Sequence, residues 1–201
     1  MNVSLILGHP RTGSLCHALA EAAANALRAN GHALTLHDLY AEGFDPVMKP
    51  EESVARVSND PLVEQHCAEL AAAEGLVVVH PNWWGQPPAI LKGWIDRVVR
   101  PGVAYDLLPG PDGARTKHVG RLQVRTALIL NTSDLPLEVE RTRFGNTLDA
   151  IWKSYVAALG GIPDAHRISY GVVGTSTPEL RAAWLNDARA AVAQHFPRGA
   201  A

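Results

Sequence analysis

The first 31 residues have the sequence MNVSLILGHPRTGSLCHALAEAAANALRANG. The run from Val3 to Gly8 is short and apolar, which is typical of a strand in a parallel sheet that is covered on both faces. From about Ser14 to Ala29, leucine and alanine recur every three or four residues, and Asn30-Gly31 then forms a helix C-cap. This order of strand, loop and helix predicts an α/β fold.

The same alternation continues along the chain. Further strands are predicted at Ala33 to Asp38, Gly75 to His80, Arg125 to Asn131 and Arg167 to Val173. Further helices are predicted near Pro61 to Ala73 and from a capping box at Ser176-Thr177-Pro178-Glu179 to about His195. We therefore predict a single α/β domain over residues 1–201, with three layers and a five-stranded parallel sheet.

Two segments lack a regular pattern, Tyr40 to Asp60 and Pro101 to Leu122. The first leaves the carboxyl end of the second strand, where open parallel sheets bind ligands. The second is long for a connection, and such loops are usually functional or disordered. We expect both to lie near a binding site.

Composition narrows the class of protein. The 201 residues include 18 Lys+Arg and 20 Asp+Glu, so the formal net charge is −2, and like charges do not cluster. This balance predicts no nucleic-acid binding. No apolar run approaches the roughly 18 residues of a membrane-spanning helix, and the N-terminus lacks a basic leader, so we expect a cytoplasmic protein without membrane insertion.

The residues that would support other chemistries are not arranged for them. The two cysteines, Cys16 and Cys67, form no CxxC pair, and the nine histidines form no HxxxH or HxH pair. We therefore predict no metal site. A GxSxG motif is missing and no Ser-His-Asp set is apparent, so hydrolase chemistry is not expected.

The loop from His9 to Ser14 lies between the first strand and the first helix. Free amides at a helix N-terminus attract anions, and Arg11, Thr12 and Ser14 add donors for a phosphate. The loop matches neither GxGxxG nor the Walker sequence. An ordinary turn capped by Ser14 remains an equal alternative.

A second loop, HPNWWGQPPA at residues 80–89, contains Trp83 and Trp84 side by side. Loops bounded by proline and glycine lie at the surface, where two adjacent indoles are hard to bury. A flat aromatic ligand, such as a flavin, would stack on them. The alternative is that one indole packs on the following helix and the other lies at a subunit interface.

A third polar group, Asn131-Thr132-Ser133-Asp134, ends the fourth predicted strand at the same edge of the sheet. Taken alone it is also a common turn sequence. His9 and His80 both end strands at this edge, so we expect polar contacts from them to a ligand.

With these motifs the chain resembles the NAD(P)H:quinone oxidoreductase family of flavodoxin-like flavoproteins. The resemblance covers more than the first half of the chain and lies in HPRTGSLCHAL (9–19), DLYAEGFDPVM (38–48), HPNWWGQPPAILKGWIDRVV (80–99) and GVAYDL (102–107). It implies the strand order 2-1-3-4-5. The loop at Asn131 differs from the Thr-Thr-Gly-Gly loop of many members, and the tyrosine and histidine of the family's hydride relay have no match, so no catalytic residue is assigned.

The resemblance also implies a set of binding residues. It places the flavin phosphate and ribityl chain at His9, Thr12, Ser14, Leu15 and Cys16. It places the isoalloxazine on backbone amides of Pro81, Asn82, Trp83, Trp84 and Gly85, and closes its other edge with Asn131, Thr132 and Ser133. Trp84 and Tyr105 are expected to contact substrate, with Tyr105 contributed across the interface of a homodimer.

The implied activity is transfer of a hydride from NAD(P)H through bound FMN, or alternatively FAD, to a quinone or similar flat electrophile. Two other functions remain open. One is a flavin-binding accessory or regulatory subunit of an ion-efflux system. The other is a flavodoxin-type electron carrier, which the near-neutral charge disfavours.

Overall fold

The computed structural model describes residues 1–55, 57–110 and 115–198. Its strands are β1 (Asn2–Leu7), β2 (Ala33–Asp38), β3 (Gly75–Pro81), β4 (Tyr105–Pro109), β5 (Arg115–Gly120), β6 (Thr126–Thr132) and β7 (Asp164–Tyr170). Five of them form one parallel sheet in the order β2-β1-β3-β6-β7, and β4 pairs with β5 as a separate antiparallel hairpin. The predicted α/β fold with a five-stranded parallel sheet is confirmed.

The helices are α1 (Leu15–Ala29), α2 (Pro50–Ala55), α3 (Pro61–Ala72), α4 (Ala89–Val98), α5 (Leu137–Phe144), α6 (Thr147–Asp149), α7 (Ala158–Gly160) and α8 (Pro178–His195). A π-helical segment, Ala150–Ala157, joins α6 to α7, and a 3₁₀ turn, Val173–Thr175, precedes α8. Among the described helices, none is both long enough and apolar enough to cross a bilayer.

Three predictions about the elements were wrong. The segment from Pro101 to Leu122 contains the β4–β5 hairpin, although its residues 111–114 lie outside the described residues. The five sheet strands keep the predicted relative order, but because the hairpin strands are β4 and β5, the order predicted as 2-1-3-4-5 is numbered 2-1-3-6-7. The segment from Tyr40 to Asp60 contains the short helix α2, and the last strand begins and ends three residues earlier than predicted, at Asp164–Tyr170.

The core has two parts, one on each face of the sheet, because successive strand residues point to opposite faces. In β1, Leu5 and Leu7 pack with α1 and α8, whereas Ile6 packs with α3, α4 and the π-helical segment. In β3, Val77 and Val78 divide in the same way. Helices therefore cover both faces, and the ligand-binding edge is left to the loops.

The strand register brings three loops to one edge of the sheet. Leu7 of β1 lies beside Val79 of β3, and Pro81 of β3 lies beside Thr132 of β6. The loops that follow these strands therefore leave the sheet side by side, at the edge where open parallel sheets bind ligands.

Candidate functional site

The three loops enclose a cavity of about 680 Å³. The backbone N–H of Asn82 donates to the carbonyl of Thr132 over 2.6 Å, which joins the second loop to the third. The cavity is lined by His9, Arg11, Pro81, Asn82, Trp83, Trp84, Gly85, Thr132, Ser133, Asp134, Leu135, Glu140, Phe144, Thr147 and Val173. Eight of the predicted binding residues are therefore brought together, namely His9, Pro81, Asn82, Trp83, Trp84, Gly85, Thr132 and Ser133.

Helix α1 begins beside this cavity. Ser14 is its N-cap, and the Ser14 side chain accepts a hydrogen bond from the backbone N–H of His17. The helix geometry leaves the N–H groups of Leu15 and Cys16 without a partner inside the helix. Their side chains are turned away, since Leu15 packs on the core and Cys16 is buried with its sulfur 3.3 Å from the Thr132 hydroxyl. Both residues can therefore bind a ligand only through the backbone.

Burial also decides the chemistry of this cysteine. It raises the pKa of the Cys16 thiol to about 11. The thiol therefore stays protonated at neutral pH and is a poor nucleophile.

A chain of side-chain hydrogen bonds supports the helix start. The Ser14 hydroxyl lies 2.9 Å from Nδ1 of His17, and Nε2 of His17 lies 3.2 Å from Oδ2 of Asp38. The prediction that no Ser-His-Asp set is present was wrong, because β2 delivers Asp38 from 21 residues away along the chain. Ser14 is nevertheless buried and serves as the helix cap, whereas a serine nucleophile needs an exposed hydroxyl.

The tryptophan loop is a tight hairpin turn. Trp83 and Gln86 exchange two backbone hydrogen bonds of 3.0 Å, and the two residues between them are both left-handed, with φ of 58° at Trp84 and 72° at Gly85. This turn type favours glycine and asparagine, so a tryptophan in it is strained. The Trp84 side chain is 100% exposed and that of Trp83 is 43% exposed. The structure packs neither indole into the core.

Gly85 fits closely against the second half of the chain. Its carbonyl accepts a hydrogen bond from the Thr147 hydroxyl over 2.6 Å, and a Cβ added at Gly85 would lie 2.5 Å from that hydroxyl oxygen. The tryptophan loop is therefore fixed at one end by β6 and at the other by α6.

Three backbone N–H groups of the tryptophan loop already donate hydrogen bonds within the protein. The N–H of Asn82 donates to Thr132, that of Trp83 to Gln86, and that of Gly85 to Oδ1 of Asn82 over 2.9 Å. The expectation that these three amides are free to hold a ring system was therefore wrong. The indoles and the loop carbonyls remain available to a ligand.

The two histidines that end strands behave differently. His9 lines the cavity, its Nδ1 accepts the Arg11 N–H over 3.1 Å, and burial lowers its pKa. His80 is fully buried: its Nδ1–H donates to the Pro81 carbonyl over 2.8 Å, and its Nε2 accepts from the Trp152 indole over 2.9 Å. Burial lowers its pKa to about 4. The expectation of a ligand contact from His80 was wrong, because both ring nitrogens bind the protein.

The residues of the third loop also differ in whether they reach the cavity. Thr132 and Ser133 line the cavity, whereas Asn131 is fully buried beneath it. The Asn131 side chain donates to the Ser169 hydroxyl over 2.8 Å and accepts from Arg167 over 2.8 Å. Asn131 thus positions Arg167 and does not reach the cavity.

Three other predicted residues also lie apart from the cavity lining. Ser14 and Thr12 belong to the α1 side of the site, and Tyr105 lies in a separate groove of about 630 Å³. That groove runs between α4, the π-helical segment and the start of β4, and it includes Tyr155, which is 65% exposed.

The cavity wall also contains residues that the sequence did not indicate. They come from α5, α6 and the flanking loops, and they are Leu135, Glu140, Phe144, Thr147 and Val173. Helix α5 has no apolar stripe, so its periodicity does not show which side chains turn inward.

The described residues include two groups that could hold a metal by proximity, His37/Glu42/His66 and Asp164/His166/His195. Sequence spacing showed neither group. In the first, Nδ1 of His66 accepts the Trp94 indole N–H over 3.0 Å, so the proton of the neutral ring is on Nε2, the atom facing Glu42. In the second, the rings of His166 and His195 stack at 3.8 Å, and Nε2 of His166 already lies 2.5 Å from Oδ1 of Asp164. In each group, a ring nitrogen is therefore already engaged by a protein partner.

Comparison with known proteins agrees with this architecture. The flavodoxin-like fold family matches residues 1–196. The uncharacterized NAD(P)H oxidoreductase YcaK of Escherichia coli is 40% identical over 107 residues, which are 51% of this chain and 55% of that protein. NAD(P)H dehydrogenase (quinone) 1 of Cavia porcellus is 35% identical over 122 residues, which are 50% of this chain and 44% of that protein. The chain thus spans about half the length of these curated relatives.

Structural similarity covers more of the chain than the sequence similarity to these relatives does. The structure of NAD(P)H:quinone oxidoreductase from Methanothermobacter marburgensis superposes with a TM-score of 0.80 at 23% identity, over 100% of this chain and 98% of the other. That likeness concerns the fold. Together with the family match over residues 1–196, it leads to one conclusion: the chain belongs to the flavodoxin-like fold family.

Proposed function

We propose that this chain is a flavin-dependent NAD(P)H oxidoreductase that passes a hydride to a quinone or a similar flat electrophile. One observation carries the proposal: the 680 Å³ cavity has exposed indoles along its wall and the start of α1 beside it. A ligand with a flat ring system and a phosphate matches both ends. The names of the two curated relatives support the same class of reaction.

The α1 end of the site fits a phosphate monoester. Two backbone N–H groups, of Leu15 and Cys16, face outward at the helix start, where the helix dipole favours an anion. Arg11 lines the cavity at this end and is exposed, so its guanidinium can pair with the same phosphate. One such anion site supports FMN as the cofactor, with FAD as the alternative.

The other end fits a conjugated ring. Trp83 and Trp84 both line the cavity, and the His9 ring lies 6.3 Å from the Trp83 ring. Aromatic walls hold flat ligands by stacking and exclude water from them. When bound, the flavin supplies the hydride chemistry, and either NADH or NADPH is the donor. The protein's part is to bind, orient and shield the reactants, so we assign no catalytic residue.

We further propose that the chain forms a homodimer. Tyr105 lines the separate groove of 630 Å³ and not the cavity of its own chain, so it can contact substrate only if it is contributed to the site of a second copy. The exposed Tyr155 in the same groove supports an interface there.

The test compares FMN with riboflavin, which lacks the phosphate. We expect the flavin-free protein to bind FMN at least about tenfold more tightly than riboflavin, because charge-assisted hydrogen bonds to a phosphate are strong. The substitution Arg11→Gln should weaken FMN binding and leave riboflavin binding unchanged, so the difference between the two affinities should become smaller. Fluorescence titration measures all four affinities. Equal affinity for the two flavins would contradict a phosphate site at α1.

A further inference from the structure

The cavity contains one polar side chain that the fold does not satisfy. Glu140 of α5 lines the cavity and is 4% exposed. Within the described residues, neither of its carboxylate oxygens has a hydrogen-bond partner. Burying a carboxylate without donors costs several kcal/mol. A buried group of this kind calls for an explanation, and a ligand in the adjoining cavity would supply the missing donor.

The nearby arginine does not account for Glu140. Nη1 of Arg167 lies 3.2 Å from Oε1 of Glu140, but the geometry is not that of a hydrogen bond. Each nitrogen of the guanidinium already has another acceptor: Nε donates to Asp149 over 2.5 Å, Nη1 to Asn131 over 2.8 Å, and Nη2 to Asn146. Arg167 would therefore remain bonded without Glu140, while Glu140 gains only proximity to a positive charge.

The position of Glu140 separates it from the parts assigned to the cofactor. The phosphate site lies at α1, and the stacking surface belongs to the loop after β3. Glu140 comes from α5, together with Phe144 from the end of the same helix, and adds a wall of its own. The proposed reaction needs room for a second flat molecule, and this wall is available to it.

We infer that Glu140 determines substrate specificity by accepting a hydrogen bond from an N–H or O–H group on the flat electron acceptor. This inference rests on the proposed function. A carboxylate offers acceptors only, so an acceptor molecule that carries a donor group satisfies it, and one that carries a methyl group in that place leaves it unpaired. Sites with a buried polar group discriminate strongly against ligands that fail to pair it.

The matched probes are 2-amino-1,4-naphthoquinone and 2-methyl-1,4-naphthoquinone, in which an NH₂ group replaces a CH₃ group of similar size. Their dissociation constants are measured on the flavin-loaded protein without NAD(P)H, from changes in the flavin spectrum. We expect the wild type to prefer the amino compound by about tenfold.

The substitution Glu140→Gln should reverse that preference. The amide oxygen will turn towards Arg167, so the amide NH₂ will face the ligand and oppose the amino group of the probe. Glu138→Gln is the matched control, because Glu138 lies on the same helix, is exposed, and pairs only with Arg141 at the surface. That variant should keep the wild-type preference.

Two further readouts separate this role from others. Glu140 accepts no hydrogen bond from the described residues, and Arg167 keeps Asp149 as a counter-charge when Glu140 is replaced. Glu140→Gln should therefore leave the melting temperature of the flavin-free protein unchanged or higher, whereas a structural glutamate would lower it. FMN affinity should stay within about twofold of wild type, since a cofactor ligand would lose more. A tenfold loss of FMN affinity, or an identical probe preference in all three proteins, would overturn the inference.

A failure of the proposed flavin reaction can be told apart from a failure of the role inferred for Glu140. If the wild type takes up no flavin, the proposed reaction fails, and the same two probes are then titrated against the flavin-free protein by tryptophan fluorescence. A preference for the amino compound that Glu140→Gln removes would still support the role of Glu140. Equal binding of both probes would overturn it.

Discussion

Glu52 and Glu140 are about equally buried, at 7% and 4% exposure, but the protein satisfies only one of them. Glu52 accepts two hydrogen bonds from the Arg97 guanidinium, of 2.6 and 3.0 Å, a third from the backbone N–H of Lys49 and a fourth from the Ser58 hydroxyl. Glu140 accepts none from the described residues. The hydrogen bonds of Glu52 hold the segment after β2 against α4, whereas Glu140 belongs to the wall of a cavity.

The surroundings of the two glutamates are otherwise alike. Each has a buried arginine beside it, Arg97 and Arg167 respectively. The protein also buries two histidines that each accept a hydrogen bond from a tryptophan: His66 from Trp94 and His80 from Trp152. Burial lowers the pKa of both histidines to about 4. Glu52 and Glu140 therefore differ in their hydrogen bonds although both lie beside an arginine, and from this difference we infer a ligand contact at Glu140.

The largest expected effect is on the satisfied cluster. Glu52→Gln should reduce the free energy of unfolding by about 3 kcal/mol, since it leaves the buried Arg97 without its main counter-charge. Glu140→Gln should change it by less than about 0.5 kcal/mol. Urea unfolding at pH 7 measures both values. Equal losses in the two variants would remove the distinction between the clusters.

The pH dependence of that difference provides a check. Hydrogen bonds from Arg97 hold the pKa of Glu52 at about 2, below its ordinary 4.5. The stabilisation from the pair is therefore complete above pH 4.5 and is lost as the pH falls towards 2. The difference in the free energy of unfolding between wild type and Glu52→Gln should therefore shrink as the pH falls from 4.5 towards 2.

The next effect concerns the two buried histidines, His66 and His80, and should be of similar size at both. Their pKa values of about 4 lie below the ordinary 6.5, so the unfolded chain binds protons more readily than the folded one between these values. The stabilisation is complete above pH 6.5 and is lost as the pH falls from 6.5 towards 4, by about 1 to 2 kcal/mol for each histidine at pH 5.

Unfolding curves at pH 7 and pH 5 test this expectation. His66→Gln and His80→Gln keep an acceptor for the tryptophan, and each should remove about half of the dependence. A stability that does not change between these pH values would show that the rings are not held neutral.

A smaller effect on stability than that of Glu52 or the histidines is expected at the tryptophan turn. Trp84 is fully exposed and left-handed, so Trp84→Gly removes strain without losing packing and should raise the free energy of unfolding by about 1 kcal/mol. The same change should weaken quinone binding, because it removes a stacking surface. Urea unfolding and steady-state kinetics test the two statements, and unchanged quinone kinetics would refute the role of Trp84.

The local parts of this structure could be predicted from the sequence. The five strands of the sheet, helix α1 with its Ser14 cap, and the exposed pair Trp83 and Trp84 each depend on short patterns of polarity, capping and turn residues. Because the strands of the sheet are parallel, their carboxyl ends lie at the same edge. Eight of the predicted binding residues line the cavity for this reason.

The parts that depend on distant partners could not be predicted. Among the strands that the structure describes, β4 and β5 pair with each other and with no other strand, in a segment rich in proline and glycine that is typical of loops. Glu140 and Arg167 are 27 residues apart, and an acidic residue on a short polar helix is normally at the surface. From its place at the end of a strand, His80 was expected to contact a ligand. The indole N–H of Trp152, 72 positions later in the chain, instead donates a hydrogen bond to its Nε2.

The most direct test of the account is an absorption spectrum of the purified protein before and after anaerobic addition of NADPH, and separately NADH, with the released cofactor identified by mass. The account predicts flavin bands that bleach with at least one donor, and a released mass equal to that of FMN. A protein that carries no flavin, and that neither binds added FMN or FAD nor oxidises NAD(P)H with them, would contradict it.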